Sequence, residues 1–136
     1  MLIDSNILDK LTEWAKQSPR LRMNYDLRNS DQDQSQRMLN ALKPETILPI
    51  HRHCDTSETV AIIRGAVRQN FYDDNGNVIE TLEVHAGDAC PFFVVPKGAW
   101  HNSESLQSGT IIFEAKDGSY KPLISDDMLK SDIFNE

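Results

Sequence analysis

The chain has 136 residues, of which 39% are hydrophobic and 26% charged, and its formal net charge is -7. These values predict one globular domain with its own core, residues 1–136, and exclude a chain that is disordered throughout. We expect no nucleic-acid partner, because such binding depends on clustered Lys and Arg. A run of 18 apolar residues is missing and so are the features of a secretory leader, so we expect no membrane partner and a cytoplasmic location.

The first predicted element is a helix within residues 4–19. Asp4 or Ser5 can cap its start, and Pro19 ends it. Between these limits the apolar residues recur with a period of about 3.6, as Ile7, Leu8, Leu11, Trp14 and Ala15. The helix therefore has one apolar stripe that can pack on a core.

The segment after the helix alternates polar and apolar residues as an edge strand does. In "PRLRMNY" this alternation places Arg20, Arg22 and Asn24 on one face. Arginines at a pocket rim would bind a carboxylate or phosphate through paired hydrogen bonds, whereas the alternative is a solvated face. The following stretch, 28–37, has no aliphatic or aromatic side chain apart from the stems of its arginines, and we expect an exposed loop. Residues 1–36 thus form the predicted N-terminal helix and loop.

From residue 37 onward, short apolar runs alternate with turn residues, which predicts a β-sandwich or barrel over 37–116. "QRMLNAL" would also suit two helical turns, but the turn sequence at 43–46 favours a strand. The pair Asn75-Gly76 predicts a tight antiparallel hairpin, since both residues tolerate positive φ. The tail, 117–136, includes a stretch at 125–136 that could form a short helix.

Two of the four histidines stand two residues apart, in "PIHRH". If this segment is extended, His51 and His53 project to the same side. The pair alone is weak support for a metal site, because exposed or hydrogen-bonded core histidines are common. Glu58 opens the next apolar run after a polar loop and offers a carboxylate nearby.

A second stretch, "HAGDACPFFVVPKGAWHN", supplies a further histidine. Pro96 and Gly98 predict a turn, after which His101 would open a strand. If that strand lies beside the segment bearing His51 and His53, three imidazoles and one carboxylate meet. Nitrogen and oxygen donors in this mixture suit Fe, Mn, Ni, Zn or Cu better than Ca or Mg.

These two stretches resemble the two motifs of the cupin family. The first motif, His-x-His, then three or four residues, Glu, six residues and Gly, is matched by His51, His53, Glu58 and Gly65. The second is matched in type and order by Gly87, Pro96, Gly98 and His101. It departs from the family pattern in the longer spacing before Pro96 and in Ser105, where the family has Asn.

The resemblance implies a mainly β fold, a cupin-type double-stranded β-helix or jelly-roll barrel, with an N-terminal helix added here. It implies one divalent transition metal, Fe, Zn, Mn or Ni, at His51, His53, Glu58 and His101. It also implies a homodimer, since Ala61 and Ile63 on the outer face need cover from a partner or from the helix.

A narrower resemblance is to the WbuC family of cupin-fold metalloproteins, through "SPRLRMNYDL", "QRMLNALKPET" and "HRH". Members of that family tend to be associated with surface polysaccharide gene clusters. This resemblance favours a ligand-binding role for Arg20, Arg22 and Tyr25. We add Trp100, which could wall the pocket because it precedes His101.

Other candidates have simpler interpretations. We interpret His85 as a surface histidine and Cys90 as buried and inert, and expect Cys54 to point away from the metal and to remain unbridged to Cys90. The aromatic residues expected in the core are Trp14, Phe92, Phe93 and, as the alternative to its pocket role, Trp100.

The leading functional hypothesis is a metal-binding cupin for a polar, anionic or sugar-like small molecule. Catalysis would make it a metal-dependent isomerase or oxygenase, since a metal can polarise a carbonyl or activate oxygen. The alternatives are a binding or sensing module without turnover, and a metal-free epimerase-like cupin that uses His and Tyr for proton transfer.

Overall fold

The computed structural model describes residues 1–119 and 121–129 of the chain. Its elements in chain order are α1 (Ser5–Gln17), β1 (Arg22–Asp26), β2 (Ser35–Leu42), β3 (Glu58–Arg64), β4 (Ala66–Tyr72), β5 (Val78–His85), β6 (Phe92–Val95), β7 (Trp100–Ser105), β8 (Thr110–Asp117) and a short 3-10 helix (Ser125–Asp127). The chain is therefore mainly β with an N-terminal helix, as the sequence predicts.

The strands form two antiparallel sheets. One sheet has five strands in the order β1-β2-β8-β3-β6, and the other has three in the order β5-β4-β7. Apolar side chains from both sheets pack together in one core cluster, which includes Val60, Ile62, Val67, Phe71 and Ile112. This arrangement is a jelly-roll, in which two sheets enclose a common interior.

The helix begins and ends as the sequence predicts. The Asp4 side chain accepts a hydrogen bond from the backbone N–H of Ile7 at 3.1 Å, and the helix ends at Ser18. Leu8, Leu11 and Ala15 are buried against the outer side of the five-stranded sheet. The expectation that Trp14 lies in the core is wrong, because its position at the edge of the stripe leaves it 49% exposed.

Two strand predictions are confirmed and one is wrong. "QRMLNAL" lies in β2, and the Asn75-Gly76 turn joins the antiparallel strands β4 and β5. The "PIHRH" segment is not a strand. Pro49 lacks a backbone N–H, and the ladder pairing of this segment is limited to bridges at His51.

The surface differs from the expectations at several positions. Phe92 is 61% exposed because strand alternation directs it to the outer face of the edge strand β6, while Phe93 and Trp100 are buried. Cys90 is exposed rather than buried, and it and Cys54 are both free thiols. Residues 28–34 form the predicted loop, although β2 already begins at Ser35.

Ala61 is 6% exposed within the single chain, whereas Ile63 is 42% exposed. In the predicted tail helix, Ser125–Asp127 forms one 3-10 turn, and residues 130–136 lie outside the described residues. No helix in the described part of the chain has the length and apolarity needed to span a membrane.

Candidate metal centre and its pocket

Four predicted ligands lie together at one end of the barrel. His51 and His53 come from the irregular segment before β3, Glu58 is the first residue of β3, and His101 is the second residue of β7. One potential ligand atom from each side chain lies within 4.8 Å of the other three. This cluster of three imidazoles and one carboxylate could hold a metal ion.

Backbone hydrogen bonds fix the histidine-bearing segments. The N–H of His51 donates to the carbonyl of His101 at 3.0 Å, and the N–H of His101 donates to the carbonyl of His51 at 2.9 Å. The N–H of Gly98 donates to the carbonyl of His53 at 2.8 Å. The Pro96–Gly98 turn therefore positions His53 as well as His101, although His101 lies far from His53 in the sequence.

Two of the rings are held with one nitrogen free for a metal. Nδ1 of His51 lies 2.9 Å from the carbonyl oxygen of Pro49, and Nδ1 of His101 lies 2.9 Å from that of Ala99. Because a carbonyl only accepts, each Nδ1 must carry the proton, and Nε2 keeps its lone pair. Nε2 of His53 and of His101 lie 2.7 and 3.5 Å from Oε1 of Glu58.

The protonation states of the cluster suit a cation. Burial lowers the pKa of His51 to about 4. The neighbouring His101 and His53 lower it as well, whereas the Pro49 carbonyl and Glu58 act in the opposite direction. Burial raises the pKa of Glu58, but the neighbouring imidazoles of His101 and His53 outweigh this effect and hold that pKa below its usual range. At neutral pH the cluster thus combines a neutral His51 with an ionised Glu58, and metal binding needs these forms.

The cluster opens into a cavity of about 190 Å³ between the two sheets. Four cationic residues line the same cavity, namely Arg20, Arg22, Lys116 and Lys121. Among the described residues, neither Arg20 nor Arg22 forms a salt bridge. The cavity therefore combines a potential metal site with guanidinium groups that are available to an anion.

The two other predicted ligand-binding residues lie elsewhere. Tyr25 packs against the cluster under the helix, on the opposite face of β1 from Arg22 and Asn24. Trp100 points away from His101, and its indole N–H donates to Asp74 at 3.0 Å while the Arg52 guanidinium lies 4.4 Å above its ring. Strand alternation explains both placements, and neither side chain lines the cavity.

Several polar residues of the cavity wall were missed by sequence reasoning. They are Gln36, Asn40, Gln69, Ser103, Glu114, Lys116 and Lys121. One signal was available, because in "TIIFEAKD" a period of two places Glu114 and Lys116 on the same face as Ile112. Two charged residues on the inner face of a strand indicate a functional interior.

Glu114 is the second carboxyl group of the cavity. Burial raises its pKa to about 8, and the charge of Glu58 adds to this effect, while Lys116 and Asn40 oppose it. Its neighbours in register are Val60 on β3 and Met38 on β2, which are both apolar. At neutral pH Glu114 is therefore mainly a neutral acid that can donate a hydrogen bond.

The family model for "Domain of unknown function (DUF6016)" matches residues 3–84, which include the first histidine motif. The chain belongs to the DUF6016 family. No curated protein matches the chain in sequence.

Solved structures show the fold of this DUF6016 chain to be that of the cupins. KdgF from Halomonas sp. has a TM-score of 0.60 at 13% identity, over 76% of this chain and 84% of that one. A mutant of Bacillus subtilis oxalate decarboxylase OxdC has a TM-score of 0.58 at 21% identity, over 79% of this chain and 27% of that one. The Schizosaccharomyces pombe Cnp3 cupin domain has a TM-score of 0.57 at 10% identity, over 72% of this chain and 65% of that one. The DUF6016 chain thus spans about a quarter of the decarboxylase.

Proposed function

We propose that this DUF6016 protein is a metal-dependent cupin that binds a small anionic, sugar-like molecule between its metal and Arg20 and Arg22. The observation that carries this proposal is that the four clustered ligands and both arginines line one cavity. The metal would bind one oxygen of the ligand, and the guanidinium groups would bind another.

The donor set supports a divalent transition metal, with Fe, Zn, Mn and Ni as the candidates. Three imidazoles and one carboxylate leave one or two positions free on a five- or six-coordinate ion, and such an ion would polarise a ligand oxygen as a Lewis acid. A structure of Bacillus subtilis oxalate decarboxylase is described by its Mn(II) centres. Mn(II) is therefore the first ion to test with this chain.

The charge distribution supports an anionic ligand. The chain carries a net charge of -7, yet Arg20, Arg22, Lys116 and Lys121 converge on the cavity. A local positive field of this kind attracts anions that the rest of the surface repels. We also propose that the ligand belongs to surface polysaccharide metabolism, which the resemblance to the WbuC family supports, and that the protein acts in the cytoplasm; turnover would make it an isomerase or oxygenase.

The first alternative function, a binding or sensing module, would use the same site and would differ only in that it does not convert its ligand. The metal-free epimerase needs a tyrosine that faces the ligand. Of the tyrosines that the structure describes, Tyr25 packs under the helix and Tyr72 donates to the amide oxygen of Asn102 at 2.8 Å, and neither lines the cavity. The geometry thus favours a metal-dependent site.

The test is calorimetric titration of the chelator-stripped protein, first with Mn(II) and then with gluconate, which carries a carboxylate and hydroxyl groups. We expect one metal per chain and gluconate binding that is at least about tenfold tighter with metal than without it. His53→Ala should lose both metal binding and the tighter gluconate binding, and the surface variant His85→Ala should keep both. Equal gluconate affinity in stripped and loaded protein would overturn the proposal.

A further inference from the structure

The interior beside the histidine cluster carries polar as well as apolar side chains. The apolar core occupies part of the space between the sheets, and the cavity occupies the rest. Gln36 and Glu114 enter the cavity from the five-stranded sheet, and Gln69 enters from the three-stranded sheet. The cavity is therefore bordered by hydrogen-bonding groups on both sides, in addition to the metal ligands and the cations.

Gln69 is completely buried and only half satisfied. Its Oε1 accepts a hydrogen bond from the hydroxyl of Ser103, whereas its Nε2 has no hydrogen-bond partner in the described part of the chain. A buried donor without a partner costs about 1–3 kcal/mol of stability. Such a donor on a cavity wall is placed to bind an acceptor on a ligand.

Gln36 offers the complementary group. It is 5% exposed, its Nε2 makes a weak contact with Sδ of Met38 at 4.0 Å, and its Oε1 has no partner among residues 1–119 and 121–129. Glu114 follows on the neighbouring strand, where it is flanked by the apolar Val60 and Met38. Its carboxyl oxygens add further hydrogen-bonding atoms to the cavity wall.

We propose that Gln36, Gln69 and Glu114 form a hydrogen-bonding subsite for hydroxyl groups, so that the ligand is a polyhydroxylated carboxylate of the sugar-acid class. Hydroxyl groups both donate and accept, so a polyhydroxylated ligand can accept from the unpaired Nε2 of Gln69 with one hydroxyl and donate to Oε1 of Gln36 with another. An aliphatic acid would leave both atoms buried and unpaired, so the subsite selects against it. This inference rests on the proposed function, since the metal and arginines bind the carboxylate.

The test compares two acids of equal carbon number on the Mn(II)-loaded protein: gluconate, which has hydroxyl groups, and hexanoate, which has none. We expect wild type to bind gluconate at least about tenfold more tightly, as one or two neutral hydrogen bonds to buried partners predict. Gln69→Met and Gln36→Met should each lower this ratio about fivefold to tenfold while metal content and hexanoate affinity stay unchanged. Gln17→Met, on the exposed side of the helix, is the matched control and should keep the wild-type ratio.

The outcomes separate the two proposals. Binding of both acids with equal affinity overturns the subsite alone, as does an unchanged ratio in both glutamine variants. Binding of neither acid to metal-loaded protein overturns the proposed function. Thermal unfolding of Gln36→Met without ligand gives an independent readout: an unchanged or higher Tm supports a ligand-binding amide, and a Tm several degrees lower makes Gln36 a structural residue and contradicts its assignment.

Discussion

His51 and His101 are joined by a reciprocal pair of backbone hydrogen bonds, at 3.0 and 2.9 Å, and their ring centroids lie 4.2 Å apart. This short bridge brings together two sequence motifs that lie on different elements. Because the backbone rather than the side chains makes the link, a ligand imidazole can be removed without removing the bridge. Loss of metal in a histidine variant would then report on ligation rather than on misfolding.

The two arginines should control ligand affinity without affecting the metal. Arg20→Lys and Arg22→Lys keep the positive charge but remove the planar fork that binds two oxygens. We expect gluconate binding to weaken by about 1–3 kcal/mol, with metal content unchanged. Calorimetry on wild type and both variants measures this, and equal affinity in all three would place the arginines on the solvated surface.

Gly65 should not tolerate a side chain. Its φ is +76°, and a Cβ atom there would clash with the Thr110 hydroxyl and lie 2.9 Å from the Thr110 Cα. Gly65→Ala should lower the free energy of unfolding by about 2–5 kcal/mol, from left-handed strain and overpacking together. Gly109→Ala is the control, because its φ is +81° with nothing within 4 Å, and it should lose about 1–2 kcal/mol. Denaturant unfolding measures both, and similar losses would contradict the packing argument.

Glu114 should make the metal-free protein less stable as pH rises above neutrality. Its folded pKa of about 8 lies above the ordinary 4.5, so between these pH values the folded chain keeps a proton that the unfolded chain has lost. The free energy of unfolding therefore falls as pH rises through this interval. His51 acts oppositely, because its folded pKa of about 4 lies below 6.5 and it adds stability as pH rises through that interval. Above pH 6.5 only the effect of Glu114 remains. We expect the free energy of unfolding to fall by about 1–2 kcal/mol between pH 6.5 and pH 8.

Glu114→Gln should abolish this fall in the free energy of unfolding with rising pH. Glu45→Gln, which removes an exposed carboxyl, should leave it unchanged. The measurement is urea unfolding at pH 6.5 and 8 after chelation. If the loss is the same in wild type and Glu114→Gln, the carboxyl is not protonated in the folded chain.

The homodimer stays a prediction. Ile79, Phe92 and Val94 are 67%, 61% and 55% exposed and lie close together on the edge strands β5 and β6. Exposed apolar groups clustered at sheet edges are typical of interfaces. We expect sedimentation to show a dimer in wild type and a monomer in Phe92→Ser. Ile47→Ser, at a residue that is 68% exposed elsewhere, should stay dimeric, and a monomeric wild type would contradict the prediction.

The sequence predicts the elements whose signals are local. The cap at Asp4 and the Asn75-Gly76 hairpin follow from short-range hydrogen bonding and backbone preference, and both are confirmed. The strand predicted around Pro49 is wrong, because partners for that segment are set by the tertiary fold rather than by apolar runs. The exposure of Phe92 likewise depends on its place on the outer face of an edge strand, which composition does not specify.

The candidate site is predicted in part for the same reason. Motif spacing predicts the four clustered candidate ligands, because two separate stretches match the two cupin motifs in residue type and order. Gln36 and Gln69 give no such signal, because their strands are buried on both faces and a polar residue there can point either way. The resemblance to the WbuC family predicts a pocket role for Tyr25, and proximity to His101 in the sequence predicts one for Trp100, but strand alternation directs both side chains to the other face.

Metal stoichiometry tests the central claim most directly. Elemental analysis of purified protein reloaded with Mn(II) should give about one metal per chain for wild type and for His85→Ala. His101→Ala should fall to about one tenth or less, because a three-donor remnant binds far more weakly. Circular dichroism should show that its β-structure is intact. If folded His101→Ala retains one metal per chain, the three imidazoles and Glu58 do not form the site, and the account is contradicted.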